Sequence, residues 1–175
     1  MVKMPKNIKN HLPGKPDHFE KEKRKLVENA KLANDINKDL SNIGGYLGTL
    51  QISDLKNFRV RQFPAYFVIN MPDKNHWIAV ACFFNEVAIC DPLHSIMPGK
   101  KLNKTLINCL SILSYNKKVS ICPRLSKTNL FSAYYCIYFI CAMTVRNFDD
   151  FLSHFENNFD ANDLLVSMLY NSNCK

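Results

Sequence analysis

The sequence lacks any apolar segment of the roughly 20 residues that a membrane-spanning helix needs. Its longest nearly apolar run, Ala133 to Val145, is shorter than that and contains tyrosines. The basic residues near the N-terminus are not followed by the apolar stretch that characterises a secretory signal. We therefore expect no membrane partner and an intracellular location, in the nucleus or the cytoplasm.

The cysteine pattern lacks the features of a disulfide framework or a zinc site. The cysteines are odd in number, dispersed, and never spaced as C-x-x-C. Several lie in apolar stretches, which is typical of reduced, buried thiols in a cytosolic or nuclear protein. We therefore expect no metal and no small-molecule cofactor. The seven residues are Cys82, Cys90, Cys109, Cys122, Cys136, Cys141 and Cys174.

Acidic residues are scarce at the N-terminal end of the chain. Residues 1–25 hold eight basic residues against three acidic ones, so this segment carries a charge of +5 out of the net charge of +8. Three prolines and a glycine fall within residues 1–16, and this composition leaves little to bury. We expect a basic flexible arm over residues 1–16, dispensable for folding, and a single domain over residues 17–175. Such an arm is suited to contact DNA or an acidic partner.

Helical and strand-like patterns alternate along the rest of the chain. The segment from Ser132 to Val145 is apolar nearly all round, which indicates a helix buried at the centre of the domain. We predict an α+β fold with a mostly antiparallel sheet packed on this central buried helix. The expected elements are a helix over 18–40, short turns over 46–58, strands Ala65–Met71, His76–Phe84, Val87–Cys90 and Val119–Cys122, and helices near 102–113, 132–145, 148–156 and 160–171.

Two polar residues stand at the ends of neighbouring predicted strands. His76 opens one strand and Asp91 closes the next, 15 positions later, with the predicted turn Asn85-Glu86 between them. A hairpin with that turn brings the two strands side by side. It can therefore hold the carboxylate against the imidazole, where the carboxylate orients the ring.

The segment LSKTNLFSAYYCIYFICAM, Leu125 to Met143, resembles the nucleophile helix of the adenovirus-maturation-protease (adenain-like) family. This cysteine peptidase family is related to the proteases that cleave ubiquitin-like modifiers. Its helix usually opens with Cys-Gly, followed by two residues, often aromatic, then a second Cys and an apolar run. Here Ser132-Ala133 replaces Cys-Gly, and the following residues through Cys136 fit the pattern. The resemblance spans about residues 41–170 and implies a papain-like, adenain-like peptidase fold.

The resemblance also implies a role for each candidate site residue. His76, followed by Trp77, matches the general base, and Asp91 matches the acid that orients it. Ser132 stands at the position of the nucleophilic cysteine. Leu125, seven residues earlier, stands where the family places a glutamine that donates to the oxyanion.

Both replacements oppose cysteine-peptidase chemistry. A serine hydroxyl does not ionise near neutral pH, whereas a thiol beside a histidine can attack as a thiolate. A leucine side chain cannot donate to an oxyanion, and loss of one such donor costs about 2.7–4 kcal/mol. Ser132 also has a purely structural interpretation as the N-cap of the buried helix. We therefore expect an inactive or weak peptidase that binds a peptide, a capsid component or nucleic acid. The resemblance implies DNA and a viral peptide as cofactors, and a location in a host cell or a virion.

A second assignment of the nucleophile position would make the protein an active enzyme. Cys136 could be the nucleophile, with Asn129 seven residues earlier as the oxyanion donor. Cys136 would then lie one turn inside an apolar helix, away from the N-terminus whose dipole favours a thiolate. The sequence favours Ser132 as the nucleophile position. The alternative is an active endopeptidase that processes virion or virus-like proteins through Cys136 or Ser132.

Overall fold

The computed structural model describes residues 33–71, 75–96 and 104–173. The predicted arm over residues 1–16 and the start of the predicted helix at residue 18 lie outside the described residues. None of the described helices is long and apolar enough to cross a membrane. The elements in chain order are α1 (Ala33–Leu40), β1 (Tyr46–Gln51), a 3-10 turn (Asp54–Lys56), β2 (Ala65–Met71), β3 (His76–Cys82), β4 (Glu86–Cys90), α2 (Lys104–Leu113), β5 (Lys118–Ile121), a second 3-10 turn (Asn129–Phe131), α3 (Ser132–Val145), α4 (Phe148–Leu152) and α5 (Phe159–Asn173).

The described strands form one mixed sheet in the order β1-β2-β3-β4-β5. The central pairs, β2 with β3 and β3 with β4, are antiparallel, whereas the outer pairs, β1 with β2 and β4 with β5, are parallel. The predicted α+β class is confirmed, but the expectation of a mostly antiparallel sheet is wrong. Parallel neighbours need a crossover of a dozen or more residues. Residues 52–64 provide that connection on one side, and the α2 segment provides it on the other.

Strand β1 was predicted as turns because glycine weakens the strand pattern there. Gly48 lies at φ +100°, and the pairing with β2 shifts its register between Tyr46 and Thr49. A residue at that φ is strained unless it is glycine. The irregular register is typical of a β-bulge, at which the alternation of apolar residues is lost.

Helix α3 is the centre of the larger hydrophobic core. Eleven of its fourteen residues are buried, as the sequence predicted. It packs on the sheet face formed by Val68, Ala79, Ala81 and Ala88. Alanines on that face let the helix axis approach the strands closely. The opposite face carries larger side chains, which pack with Leu106 and Cys109 of α2.

Candidate functional site

His76 and Asp91 meet at one end of the sheet. His76 is the first residue of β3, and Asp91 directly follows the last residue of β4. The antiparallel register pairs Ala79 with Cys90, so Asp91 falls two positions from His76 across the hairpin. The distance from His76 Nε2 to Asp91 Oδ1 is 2.7 Å, and both side chains are 0% exposed.

The second oxygen of Asp91 is held by its own loop. Asp91 Oδ2 accepts hydrogen bonds from Ser95 Oγ at 2.9 Å and from the Ile96 N–H at 2.8 Å. Burial acts to raise the pKa of this carboxyl, but the hydrogen bond and charge of His76 and the two loop donors outweigh it and lower the pKa. Asp91 is therefore ionised near neutral pH, and the Nε2 atom of His76 carries the proton that it donates to Asp91.

A set of hydrogen bonds ties the Asp91 loop to the segment that follows β5. The Asp91 N–H donates to Cys122 Sγ at 3.1 Å, and His94 Nδ1 lies 3.2 Å from the Cys122 carbonyl oxygen. The N–H groups of Leu125 and Ser126 both donate to the Pro92 carbonyl, at 2.9 and 3.0 Å. The position of Asp91 is thus fixed from two sides. Nothing in the sequence around His94 indicated this contact.

The Ser132 side chain lies against the main chain next to His76. It is the first residue of α3 and is fully buried. The Trp77 N–H donates to Ser132 Oγ at 3.3 Å, so the hydroxyl lies next to the residue that follows His76. The hydroxyl itself donates to the Asn129 carbonyl at 2.7 Å. The N-cap of the helix is Phe131, so the interpretation of Ser132 as the N-cap is wrong.

The other nitrogen of His76 is unsatisfied. His76 Nδ1 is buried and has no hydrogen-bond partner within the described part of the chain. A buried polar atom without a partner costs about 1–3 kcal/mol. A ligand that forms a hydrogen bond with His76 Nδ1 would therefore be stabilised at this site.

Leu125 offers no side-chain donor to this site, because its side chain is buried in the apolar core. Its carbonyl accepts hydrogen bonds from Tyr135 Oη at 3.1 Å and from Asn162 Nδ2 at 3.3 Å. Tyr135 Oη also lies 3.0 Å from Oδ1 of the buried Asp163. These three polar residues of α3 and α5 position the Leu125 loop. Sequence reasoning missed them because they are ordinary helix residues until the helices pack together.

Cys136 lies one turn after Ser132 in α3 and is fully buried. Burial raises the pKa of its thiol well above the usual value, and the nearby Asp91 and Cys122 act in the same direction. The side chain is therefore a neutral thiol at physiological pH, whereas the nucleophilic form of cysteine is the thiolate. Asn129 lies in the 3-10 turn before α3, where its carbonyl holds the Ser132 hydroxyl.

Comparison with protein-family models and with curated protein sequences gives no match for this chain. Within residues 33–71, 75–96 and 104–173, no group of three or more His, Cys, Asp or Glu side chains is arranged to hold a metal ion.

Proposed function

We propose that this chain is a peptidase-derived binding protein: an adenain-like cysteine peptidase homologue with a papain-like fold that binds a peptide segment without cleaving it. The observation that carries the proposal is the hydrogen bonding around Ser132. The hydroxyl of Ser132, at the nucleophile position, donates a hydrogen bond to the Asn129 carbonyl, while the nearby His76 Nδ1 has no partner in the described structure. A hydroxyl prepared for nucleophilic attack is instead hydrogen-bonded to its base.

Thiol chemistry is opposed by the burial of Cys136, the cysteine of α3 that lies nearest in sequence to the nucleophile position. Cys136 is 0% exposed, and its pKa is raised by that burial. For an attack by Ser132, the Leu125 side chain would also offer no donor to the oxyanion. Together these features remove both the attacking thiolate and one stabilising donor.

The buried His76–Asp91 pair supports a binding role for this site. Replacing a buried ion pair by apolar residues of similar volume is often neutral or stabilising. A purely structural role does not require an imidazole with an unsatisfied Nδ1 at this position. A ligand group that satisfies Nδ1 provides a reason for the pair. The proposed ligand is a peptide or a capsid component, in the nucleus or cytoplasm of a host cell or in a virion. DNA bound through the arm over residues 1–16 is a further proposed partner.

An active serine endopeptidase is the second candidate, and one observation favours it. The Nε2–Oδ1 distance of 2.7 Å between His76 and Asp91 is the geometry that a general base needs. Rotation of the Ser132 side chain about its Cα–Cβ bond would redirect the hydroxyl away from Asn129. If it reached Nδ1, the three residues would form a Ser-His-Asp triad.

Labelling with activity-based probes separates the two candidates. We expect a fluorophosphonate to leave Ser132 unlabelled and a haloacetamide to leave Cys136 unlabelled in the native protein. A diverse library of fluorogenic peptides should show no turnover above that of the Ser132→Ala variant. Fluorophosphonate labelling at Ser132 that disappears in His76→Gln would instead establish the serine endopeptidase.

Peptide binding requires its own measurement. Wild-type protein panned against a displayed peptide library should enrich peptides that a Ser132→Leu variant does not bind, because the larger side chain occupies the space beside His76. Ser153→Leu, a control on the exposed surface, should bind like the wild type. The thermal melting of both variants shows whether they are folded. Failure of the wild-type protein to enrich any peptide would contradict the proposed function.

A further inference from the structure

The unsatisfied nitrogen of His76 belongs to a residue whose main chain runs beside the start of a long helix. Within the imidazole, Nδ1 is bonded to the carbon nearest the main chain, whereas Nε2 points away toward Asp91. Since the Trp77 N–H donates to Ser132 Oγ, the main chain that follows His76 lies against the first residue of α3. The fourteen-residue helix has no side-chain cap at its N-terminus, where the Ser132 N–H donates to the Asn129 carbonyl. The dipole of a helix favours negative charge at its N-terminus.

We propose that this position binds the C-terminal carboxylate of a peptide, with one carboxylate oxygen accepting a hydrogen bond from His76 Nδ1 at the start of α3. The inference rests on the proposed function, because it names the chemical class of the ligand for the same site. The ligand is the product side of a cleaved chain: it ends in a free carboxylate and has no scissile bond to attack.

Charge at the site favours a carboxylate over a neutral group. With Asp91 on Nε2 and a ligand carboxylate on Nδ1, His76 donates a hydrogen bond from each ring nitrogen. No covalent bond between ligand and protein forms or breaks. Charge-assisted hydrogen bonds of this kind are shorter and stronger than neutral ones. The net charge of +8 also raises the local concentration of anionic ligands.

Burial of the site predicts slow association. His76, Asp91 and Ser132 are all 0% exposed, so a ligand reaches them only after the covering residues move. Association that requires such a change is slower than that of a preformed open site. The smallest ligands should therefore be tested at equilibrium.

The experiment compares N-acetylglycylglycine with its C-terminal carboxamide on full-length protein labelled with ¹⁵N-histidine. The acid should bind about 10- to 100-fold more tightly than the amide, the range expected for one charge-assisted hydrogen bond. Saturating acid should also shift the ¹⁵N resonance of His76 Nδ1, because that nitrogen gains a hydrogen-bond partner. The amide should leave that resonance unchanged.

His154 provides the matched control. It contacts Tyr138 in the middle of α3 and Arg146 directly after the C-terminal end of α3. It is therefore remote from the start of the helix, where Ser132 lies. His154→Gln should keep the preference for the acid, whereas His76→Gln should remove it. The wild-type comparison of acid with amide does not depend on either variant folding.

Each other outcome has a defined meaning. Equal binding of acid and amide would overturn the carboxylate inference but leave peptide binding in place. Acetate that binds as tightly as N-acetylglycylglycine would overturn the assignment to a peptide C-terminus. No change at the His76 resonance with either compound would overturn the inference, whereas the displayed-library experiment decides the proposed function separately.

Discussion

Replacement of Asp91 by asparagine tests whether the His76–Asp91 pair is charged and stabilising. The carboxylate accepts three hydrogen bonds, from His76 Nε2 at 2.7 Å, Ser95 Oγ at 2.9 Å and the Ile96 N–H at 2.8 Å. An asparagine of the same shape keeps the two loop donors on its carbonyl oxygen but presents N–H groups to Nε2. The variant therefore loses one charge-assisted hydrogen bond and the charge of a buried pair.

The expected loss of unfolding free energy is about 2–3 kcal/mol at neutral pH. A hydrogen bond to a charged group contributes about 1.5–3 kcal/mol, and removal of one whole partner from a buried pair costs about 3–5 kcal/mol. The asparagine side chain retains most of the packing, so the lower range applies. For a chain of this size the melting temperature should fall by about 4–12 °C. Thermal and urea unfolding, followed by circular dichroism, measure both quantities.

The difference between wild type and Asp91→Asn should depend on pH in a defined direction. The pKa of Asp91 is lowered in the folded state, so its contribution is fully present above the unfolded value of about 3.9 and is lost as the pH falls through the folded value. The difference in stability between the two proteins should therefore begin to shrink as the pH falls below about 4 and should vanish once the pH is below the folded pKa of Asp91.

Asp149→Asn is the matched control for this experiment. Asp149 is an exposed carboxylate in the first turn of α4, where its replacement should cost less than about 1 kcal/mol. If Asp91→Asn destabilised the protein no more than this control, or by an amount independent of pH, the description of Asp91 as a buried, ionised partner of His76 would be wrong.

Three further substitutions or reagents test the surrounding site. In native protein, iodoacetamide should alkylate the half-buried Cys141 faster than the buried Cys136, as read by peptide mass spectrometry, and equal rates would contradict the burial of Cys136. Ser132→Cys should create a thiol that iodoacetamide modifies faster than the equally buried Cys136, because position 132 lies beside the residue that follows His76 and a histidine promotes formation of the thiolate. Peptide turnover should need Leu125→Gln in addition, because nucleophile and oxyanion donor act together on one transition state. Turnover by Ser132→Cys alone would show that the oxyanion donor is dispensable. Tyr135→Phe should lower the unfolding free energy by about 1–3 kcal/mol, since it removes the hydroxyl that lies within hydrogen-bond distance of the Leu125 carbonyl and of the buried Asp163 carboxylate. An unchanged urea midpoint would contradict these contacts.

The local pattern of apolar and polar residues was sufficient to predict several helices and strands. The boundaries of β2 and α3 agree with those expected from the sequence, because an apolar run bounded by turn residues or by a polar segment defines each of them. The contact between His76 and Asp91 follows from the spacing of a hairpin. The catalytic roles assigned to these residues stay predictions, as does the relationship to adenain-like peptidases.

Other features depend on residues far apart in the chain. The parallel pairing of β5 with β4 is set by where the α2 crossover returns the chain, which no local pattern encodes. The bonds from Tyr135 and Asn162 to the Leu125 carbonyl exist only after α3 and α5 pack together. Strand β1 was missed because its glycine and irregular register remove the alternation on which strand prediction depends.

The chemical groups at the site are fixed by the order of residues in the chain: an imidazole, a carboxylate, a serine hydroxyl, and a leucine whose side chain cannot donate. Their hydrogen bonding is a property of the folded molecule. The tertiary structure directs the Ser132 hydroxyl to the Asn129 carbonyl, holds Asp91 from both sides, and leaves His76 Nδ1 buried without a partner among the described residues. Residue types fix the donors and acceptors that a chain carries, but the direction of each hydrogen bond depends on which atoms the packed helices and strands bring within about 3 Å of one another.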